Sequence, residues 1–463
     1  MKRIAVVGSG VAGLGAAARL SAAAGDRHVT LFEADERFGG HAHTVDVTLA
    51  DPSGKRITHG VDTGFLVMNE RTYPQLLGLL DALGVARATS DMSFSVQVPQ
   101  AARGLSGLRP GLEWCGSSLD TVFAQRRNLA SPSFWRMLAD LVRFNRLATA
   151  LAVRGEDAEL AQPISDFLRS HRFGAAFREG YLLPMIACIW SCPTEQMLRF
   201  PMATLIRFCH NHGLLQVTNR PQWYTVQGGS RQYVNRLVGR LADARLSTPV
   251  RGLTVLGEGG LGGVMLHTDA GTERFDEVVL ACHSDQALAM LGGGATFEER
   301  ELLGAVGYHR NRAVLHTDTS LLPRNPRAWA AWNYERAGSP DAEHQGVCLH
   351  YLINRLQPLP WSTPVIVSLN PLREPRADKV LSSHDYAHPV FDLAAIQAQK
   401  RLPEIQGKRG LWFCGAWTGY GFHEDGLKSG QGVAEQLLAR DDRDAGVSAQ
   451  APSGVEQGAR AWA

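Results

Sequence analysis

The order of apolar and polar positions at the amino end predicts strand, turn, helix, strand. Ile4-Ala5-Val6-Val7 is an unbroken apolar run, as a strand buried on both faces requires, and after a glycine-rich turn an Ala-rich helical stretch extends to about Ala24. A second apolar strand spans 28–32. Further along, 73–84 carries apolar residues at helical spacing and reads as a core helix, 233–241 repeats that pattern, and a strand ends at Val250. Leu411-Trp412-Phe413-Cys414 reads as an apolar strand that runs into Gly415, before a closing helix. The stretch 134–146 puts Phe134, Met137, Leu138, Leu141 and Val142 on one helical face and Arg136, Arg143 and Arg146 elsewhere. That pattern predicts a core-packing helix with a solvated charged side; the alternative is a helix lying in an anionic membrane interface. The apolar region 177–215, with Trp190, Phe200 and Phe208, reads as core or as the lining of a tunnel, and 441–463, which lacks periodicity, reads as a disordered tail.

The first turn, Gly8-Ser9-Gly10-Val11-Ala12-Gly13, has the spacing of a dinucleotide-binding loop. Gly8 permits the tight turn, Gly10 leaves room for a pyrophosphate, and Gly13 lets helix and strand pack closely. Val11 and Ala12 open the helix, whose N-terminal N–H groups and dipole favour a phosphate. Glu33 ends the second strand twenty residues beyond Gly13, where an acid that binds a ribose diol belongs. A carboxylate there repels a 2′-phosphate, which points to FAD or NAD rather than NADP.

Composition narrows the class. At 463 residues the chain is long enough for a nucleotide-binding domain and a second domain, and its 44% apolar content and net charge of +2 describe an ordinary globular protein without the charge excess that nucleic acid demands. The seven cysteines are scattered and form no CxxC pair. Cys209-His210-Asn211-His212 invites a metal reading, but adjacent side chains diverge, so no metal is expected. The chain runs from Met1-Lys2-Arg3 straight into a strand, without the hydrophobic region of a signal peptide, and its longest apolar stretch, 181–192, contains Pro184 and is too short to span a bilayer. A cytoplasmic protein is expected, with peripheral contact at the inner face of the membrane left open.

Glu33-Ala34-Asp35-Glu36-Arg37-Phe38-Gly39-Gly40 resembles the ExxxRxGG extension of the amine oxidase and phytoene desaturase superfamily of FAD enzymes. The resemblance implies that this segment, with Glu33, Arg37, Gly39 and Gly40, passes under the FAD diphosphate and ribityl chain. It implies that Val61-Asp62-Thr63-Gly64-Phe65-Leu66 runs beside the isoalloxazine ring, with Gly64, Phe65 and Leu66 as its contacts. Thr225-Val226-Gln227-Gly228-Gly229-Ser230 resembles the mid-chain GG motif, and Val250 the strand that meets adenine. Leu411-Trp412-Phe413-Cys414-Gly415 and the run from Thr418 to Gly430 resemble the final FAD motif, with Gly415 at the diphosphate and Gly426 and Leu427 at a helix N-terminus facing the flavin pyrimidine. One position departs: His41 follows the GG doublet where the superfamily often carries Arg.

The implied fold is α/β, a discontinuous Rossmann-type FAD-binding domain (1–95, 215–290 and 400–440) with an inserted mixed α+β substrate domain (96–214 and 291–399) and the tail 441–463. The runs VDTGFLVMNERTYPQL, YTVQGGSRQYV and FCGAWTGYGFHEDGLKSG are similar to a bacterial branch found beside, or fused to, cyclopropane-fatty-acyl-phospholipid synthases. That likeness implies a phospholipid acyl chain, unsaturated or methylated, as the lipid-like substrate.

The substrate segments show no Ser-His-Asp set, paired carboxylates or metal motif, so a flavin must carry the chemistry. A flavin accepts hydride only from an activated carbon, beside an amine nitrogen or allylic to a double bond. Tyr420, Phe422, His423, Glu424 and Asp425 precede the expected closing helix, and His423 or Glu424 is a candidate proton acceptor, with Tyr420 beside them. Glu424 and Asp425 are equally suited to capping, the role expected for Asp425. Trp223, Tyr224 and Phe422 are candidate substrate contacts, core packing being the alternative for the first two. FAD is expected to bind non-covalently, though His41 and Cys414 leave covalent attachment open. The leading reading is an FAD-dependent acyl-chain desaturase, reoxidised by an acceptor that the sequence does not reveal, oxygen and a quinone being open. A flavin amine oxidase and a flavin-dependent isomerase or non-catalytic flavin-binding protein are the alternatives.

Overall fold

The computed structural model of the chain describes residues 1–99, 110–154, 160–190, 197–216, 220–257, 259, 262–337 and 347–444. Five strands form a parallel sheet in the order Asp243–Arg245, Arg27–Phe32, Lys2–Val7, Glu277–Leu280, Leu411–Phe413. They come from three separate stretches of chain, and their carboxyl ends share one edge, where open parallel sheets bind nucleotides.

The helices that shape the site are α1 (Val11–Ala22), α2 (Pro74–Ala82), α3 (Pro132–Arg154), α4 (Met202–Asn211), α5 (Phe297–Gly304), α6 (Leu393–Arg401) and α7 (His423–Asp444). Lys2–Val7 is continuously apolar from Ile4 because both faces of the sheet are covered. Ile4 and Val6 share a core with α1 and α7, while Ala5 and Val7 share another with α5, α6 and the antiparallel strands 250–275. Glycines set the crossing of α1 and α7. A Cβ on Gly426 would lie 2.8 Å from the Val11 side chain, and one on Gly430 only 2.0 Å from the Ala12 carbonyl oxygen.

A second sheet of seven strands runs in the order Val380–Val390, Gly307–His316, Ile366–Leu369, Cys348–Leu352, Trp332–Glu335, Phe94–Gln97, Glu113–Cys115. One face, with Tyr334, Leu349, Tyr351, Val367 and Leu369, is buried against a helical layer that includes Phe134 and Phe144 of α3 and Leu205 and Phe208 of α4. Between the two sheets a small antiparallel sheet joins Met68–Asn69, Trp223–Val226 and Arg87–Ser90.

Several expectations are corrected. Strand Phe94–Gln97 already belongs to the second sheet, and α5 and α6 pack on the nucleotide side, so the inserted domain does not span 291–399 in full. Val250 begins strand Val250–Val255 rather than ending one. α7 starts at His423, which makes Glu424 and Asp425 part of its first turn. It also runs to Asp444, because Asp441 pairs with Lys2 and Arg27 and so holds the last turns on the sheet edge; the rest of the expected tail lies outside the described residues. On α3, Val142 is exposed instead of facing the core. Among the described residues no helix is long and apolar enough to cross a membrane.

Candidate active site

The Gly8–Gly13 turn lies at the carboxyl end of the central strand. Gly8 has φ +100°, and a Cβ on Gly13 would sit 1.8 Å from the Gly8 carbonyl oxygen, so only glycine lets the helix start this close to the strand. A Cβ on Gly10 would meet no atom within 4 Å, and no side chain caps α1. An open space with uncapped N–H groups is what a pyrophosphate needs. Glu33 closes one side: its carboxylate accepts the Ser9 N–H (2.9 Å), the Ser9 hydroxyl and the Asp35 N–H (3.0 Å). Backbone bonds from Thr248 to Glu33 (2.8 Å) and from Glu33 to Arg245 (2.9 Å) lay the chain just before Val250 beside that acid. The Gly39 N–H is bound to Ser9, and a Cβ on Gly40 would come within 3.2 Å of the Gly10 Cα, so the GG doublet closes over the turn.

Two buried nitrogens beside this loop, Arg37 Nη1 and His41 Nε2, have no hydrogen-bond partner. Burial, followed by His388, His283, His423 and Arg37, holds His41 far below the ordinary imidazole range, so it is neutral. His41 therefore does not replace the charge of an arginine. Its ring lies 5.1 Å from Tyr386, 5.2 Å from His388 and 6.3 Å from His283. The Asn311 amide donates to His388 Nδ1 (2.9 Å), and burial depresses His388 to about 4. His43 Nδ1 and Thr63 Oγ1 lie 2.9 and 2.7 Å from the Tyr386 hydroxyl. None of His283, Tyr386 and His388 stands in a motif, and sequence reasoning missed them.

Phe65 is fixed by its N–H bond to the His41 carbonyl (2.7 Å), and its ring stacks on the His423 imidazole at 3.7 Å. Gly64 lies so close that a Cβ would be 2.3 Å from the same carbonyl oxygen; Leu66 is buried in the core. His423 Nε2 lies 3.0 Å from the Tyr233 hydroxyl, and burial lowers its pKa to about 3. His423 is thus neutral and held in place by Phe65 and Tyr233, with its Nε2 already engaged. Glu424 is not available either: its oxygens accept the N–H groups of Gln75 and Leu76, both at 2.9 Å, and so cap α2. Asp425 accepts the Phe422 N–H (3.0 Å), the cap expected of it, and burial raises its pKa to about 6. Tyr420 sits in the turn before α7 with its phenol pKa raised by burial.

The structure stacks four rings from three stretches of the chain. Phe422 lies 4.8 Å from Phe208, Phe208 3.9 Å from His212, and His212 6.1 Å from Trp223, with interplanar angles of 21–26°. The His212 Nδ1–H donates to the Phe208 carbonyl (3.0 Å), which leaves Nε2 as a lone pair, and burial lowers the pKa to about 4. Phe208 and His212 are one helical turn apart, and the adjacent Cys209 is buried elsewhere in the core, so the Cys209–His212 run does not gather ligands. Tyr224 is excluded from this wall by strand alternation; it packs with the nucleotide-side core, under Arg87.

Of the remaining expected cofactor contacts, Gly415 donates its N–H to Ser429 Oγ (3.2 Å) and the Gly426 N–H is taken by the Phe422 carbonyl (3.0 Å). The Leu427 side chain is buried against Gly15 in the crossing of α1 and α7. Cys414 is fully buried, and burial pushes its thiol up, so it is no anchor for a covalent flavin.

A profile of the flavin-containing amine oxidoreductases matches residues 11–306. The chain belongs to that family. Its fold is that of cyclohexylamine oxidase from Brevibacterium oxydans IH-35A (TM-score 0.65, 14% identity, 96% of this chain and 100% of that one). It is equally that of a CLA-producing fatty acid isomerase from P. acnes (TM-score 0.63, 15% identity, 95% of this chain and 98% of that one). No curated protein matches the chain in sequence.

The flavin oxidoreductase takes FAD, and the residues present fit it: an open, uncapped helix start at Gly10, the Glu33 carboxylate for a ribose, and two orphaned buried nitrogens on Arg37 and His41. A further cluster lies apart from this cradle. Asp318 N–H donates to His316 Nδ1 (3.0 Å); His316 Nε2 and His350 Nδ1 each lie 2.7 Å from Ser368 Oγ, and His350 Nε2 lies 3.0 Å from Glu335. A backbone N–H can only donate, so every proton along the chain is directed toward Glu335. The spatial Ser-His-Glu set that the sequence did not show is thus a buried structural network. Glu335, Cys348 and His350 offer ligand atoms within 4.8 Å of one another, and the His350–Glu335 contact engages two of them.

Proposed function

We propose that this FAD-dependent oxidoreductase oxidises a neutral, lipophilic substrate, an unsaturated or methylated acyl chain of the phospholipid class, at an activated C–H bond. The observation that carries the reading is the wall Phe422, Phe208, His212 and Trp223, which is aromatic and without fixed charge. Glu424 and Asp425, which follow Phe422 in the chain, are committed to backbone N–H groups. A protonated amine buried against this wall would leave its charge uncompensated; an acyl chain would bury only apolar surface.

The Gly8–Gly13 turn, Glu33 and the GG doublet would hold FAD, which would supply a hydride acceptor for the reaction. The wall holds the chain and excludes water. His212 Nε2 takes the proton lost from the neighbouring carbon as the second carbon–carbon bond forms, so one hydride and one proton leave together. Incubating the enzyme with phospholipids bearing unsaturated or methylated acyl chains, followed by mass analysis of the lipid, tests this. A product lighter by two hydrogens supports desaturation; an unchanged mass with a shifted double bond makes the enzyme an isomerase, and turnover of amines alone overturns the lipid reading.

A further inference from the structure

The outward side of α3 carries an unusual combination of side chains. Trp135, Ala139, Val142, Arg146, Thr149 and Val153 are all exposed, and their spacing places them on one helical face. Trp135 is 49% exposed, Val142 63% and Val153 76%, and Trp135 is the one exposed tryptophan among the described residues. The preceding segment extends the patch: Leu129 is 52% exposed, and its carbonyl accepts the Trp135 indole N–H at 2.9 Å. Scattered exposed apolar side chains are ordinary, whereas a stripe of them is not.

The charges on this helix are predominantly basic. Arg136, Arg143, Arg146 and Arg154 face a single acid, Asp140, whose carboxylate is taken by Arg143 (2.9 Å) and by the Gly174 N–H (3.0 Å). Arg136, Arg146 and Arg154 are exposed. At the carboxyl half of α3 a groove of about 490 Å³ is lined by Asn145, Arg146, Thr149, Val153, Arg154 and Leu215, two cations over an apolar floor.

We propose that the outer face of α3 is a docking surface for an anionic phospholipid bilayer. A helix lying in the interface needs this arrangement: apolar side chains and an indole entering the headgroup boundary, long basic side chains reaching phosphate, and its one acid, Asp140, already paired. A second copy of the chain fits less well, because a two-fold contact would set arginines against arginines. The docking concerns binding alone and stands whether the redox substrate is a lipid or not.

The test is sedimentation of the FAD-loaded enzyme with vesicles of phosphatidylcholine alone and of equal parts phosphatidylcholine and phosphatidylglycerol. We expect binding to the anionic vesicles only, released by added salt. Arg146→Glu with Arg154→Glu weakens it by about tenfold or more, and Trp135→Ser with Val142→Ser weakens it comparably; both variants keep the flavin absorbance and melting temperature of the parent. Arg310→Glu with Lys400→Glu, exposed cations on other elements, leaves it unchanged. Absence of binding to anionic vesicles, or binding indifferent to the α3 substitutions, overturns the proposal. So does a dimer in size-exclusion chromatography that the α3 substitutions dissociate without any vesicle binding.

Discussion

Gly10 and His212 mark the two ends of what single residues do here. Gly10 faces open space, so a side chain there enters the place reserved for pyrophosphate. Gly10→Val is expected to leave a folded, colourless protein; an unchanged yellow protein would remove the nucleotide assignment. Such a residue is legible in sequence because its role depends on neighbours a few positions away. His212 is not, because its stack joins residues 208, 212, 223 and 422, and only the fold brings these together. His212→Phe keeps an aromatic ring in the stack and removes the lone pair. Flavin reduction by substrate should slow by roughly 10²-fold or more with FAD still bound; an unaltered rate in rapid-mixing experiments takes His212 out of the chemistry.

Among elements, α2 and α7 show how one side chain serves a helix it does not belong to. Glu424 opens α7 and caps α2, accepting two N–H groups some 348 residues away in sequence. Sequence reasoning could offer both proton acceptor and cap for it, since an acid at a helix start suits either, and only the partner decides. Glu424→Ala should destabilise the protein by about 2 kcal/mol, the value of a charge-assisted cap, while substrate still reduces the flavin near the parental rate. Thermal melting and rapid mixing on the same sample separate this from a catalytic role, which would show as lost reduction at unchanged stability. The strands and helices with a strong apolar period were legible, including Lys2–Val7, α1 and α2. Val142 was misplaced because a mean helical face does not say which apolar side chains the rest of the fold covers.

Across the whole molecule, burial of neutral imidazoles ties stability to pH. Burial lowers His212, His316 and His388 from 6.5 to about 4, and His43 and His423 to about 3. Each takes up a proton more readily when unfolded, so its stabilising contribution is complete above 6.5 and is lost as pH falls toward its folded value. Asp62, Glu424 and Asp425, raised by burial, act in the opposite sense, but three carboxyls do not offset five imidazoles. The melting temperature should therefore fall progressively between about pH 6.5 and 4; a flat profile there would contradict the buried neutral assignments. The discontinuous Rossmann-type sheet was readable from its motifs, whereas the limits of the inserted domain were not, because α5 and α6 return to the nucleotide side without any motif to mark it. The central claim joins that sheet to the uncharged aromatic wall, and anaerobic mixing of the FAD-loaded enzyme with phospholipids and, separately, with a panel of amines tests it most directly. The account predicts that lipids with unsaturated or methylated acyl chains bleach the oxidised flavin absorption and that amines do not; bleaching by amines alone would contradict it.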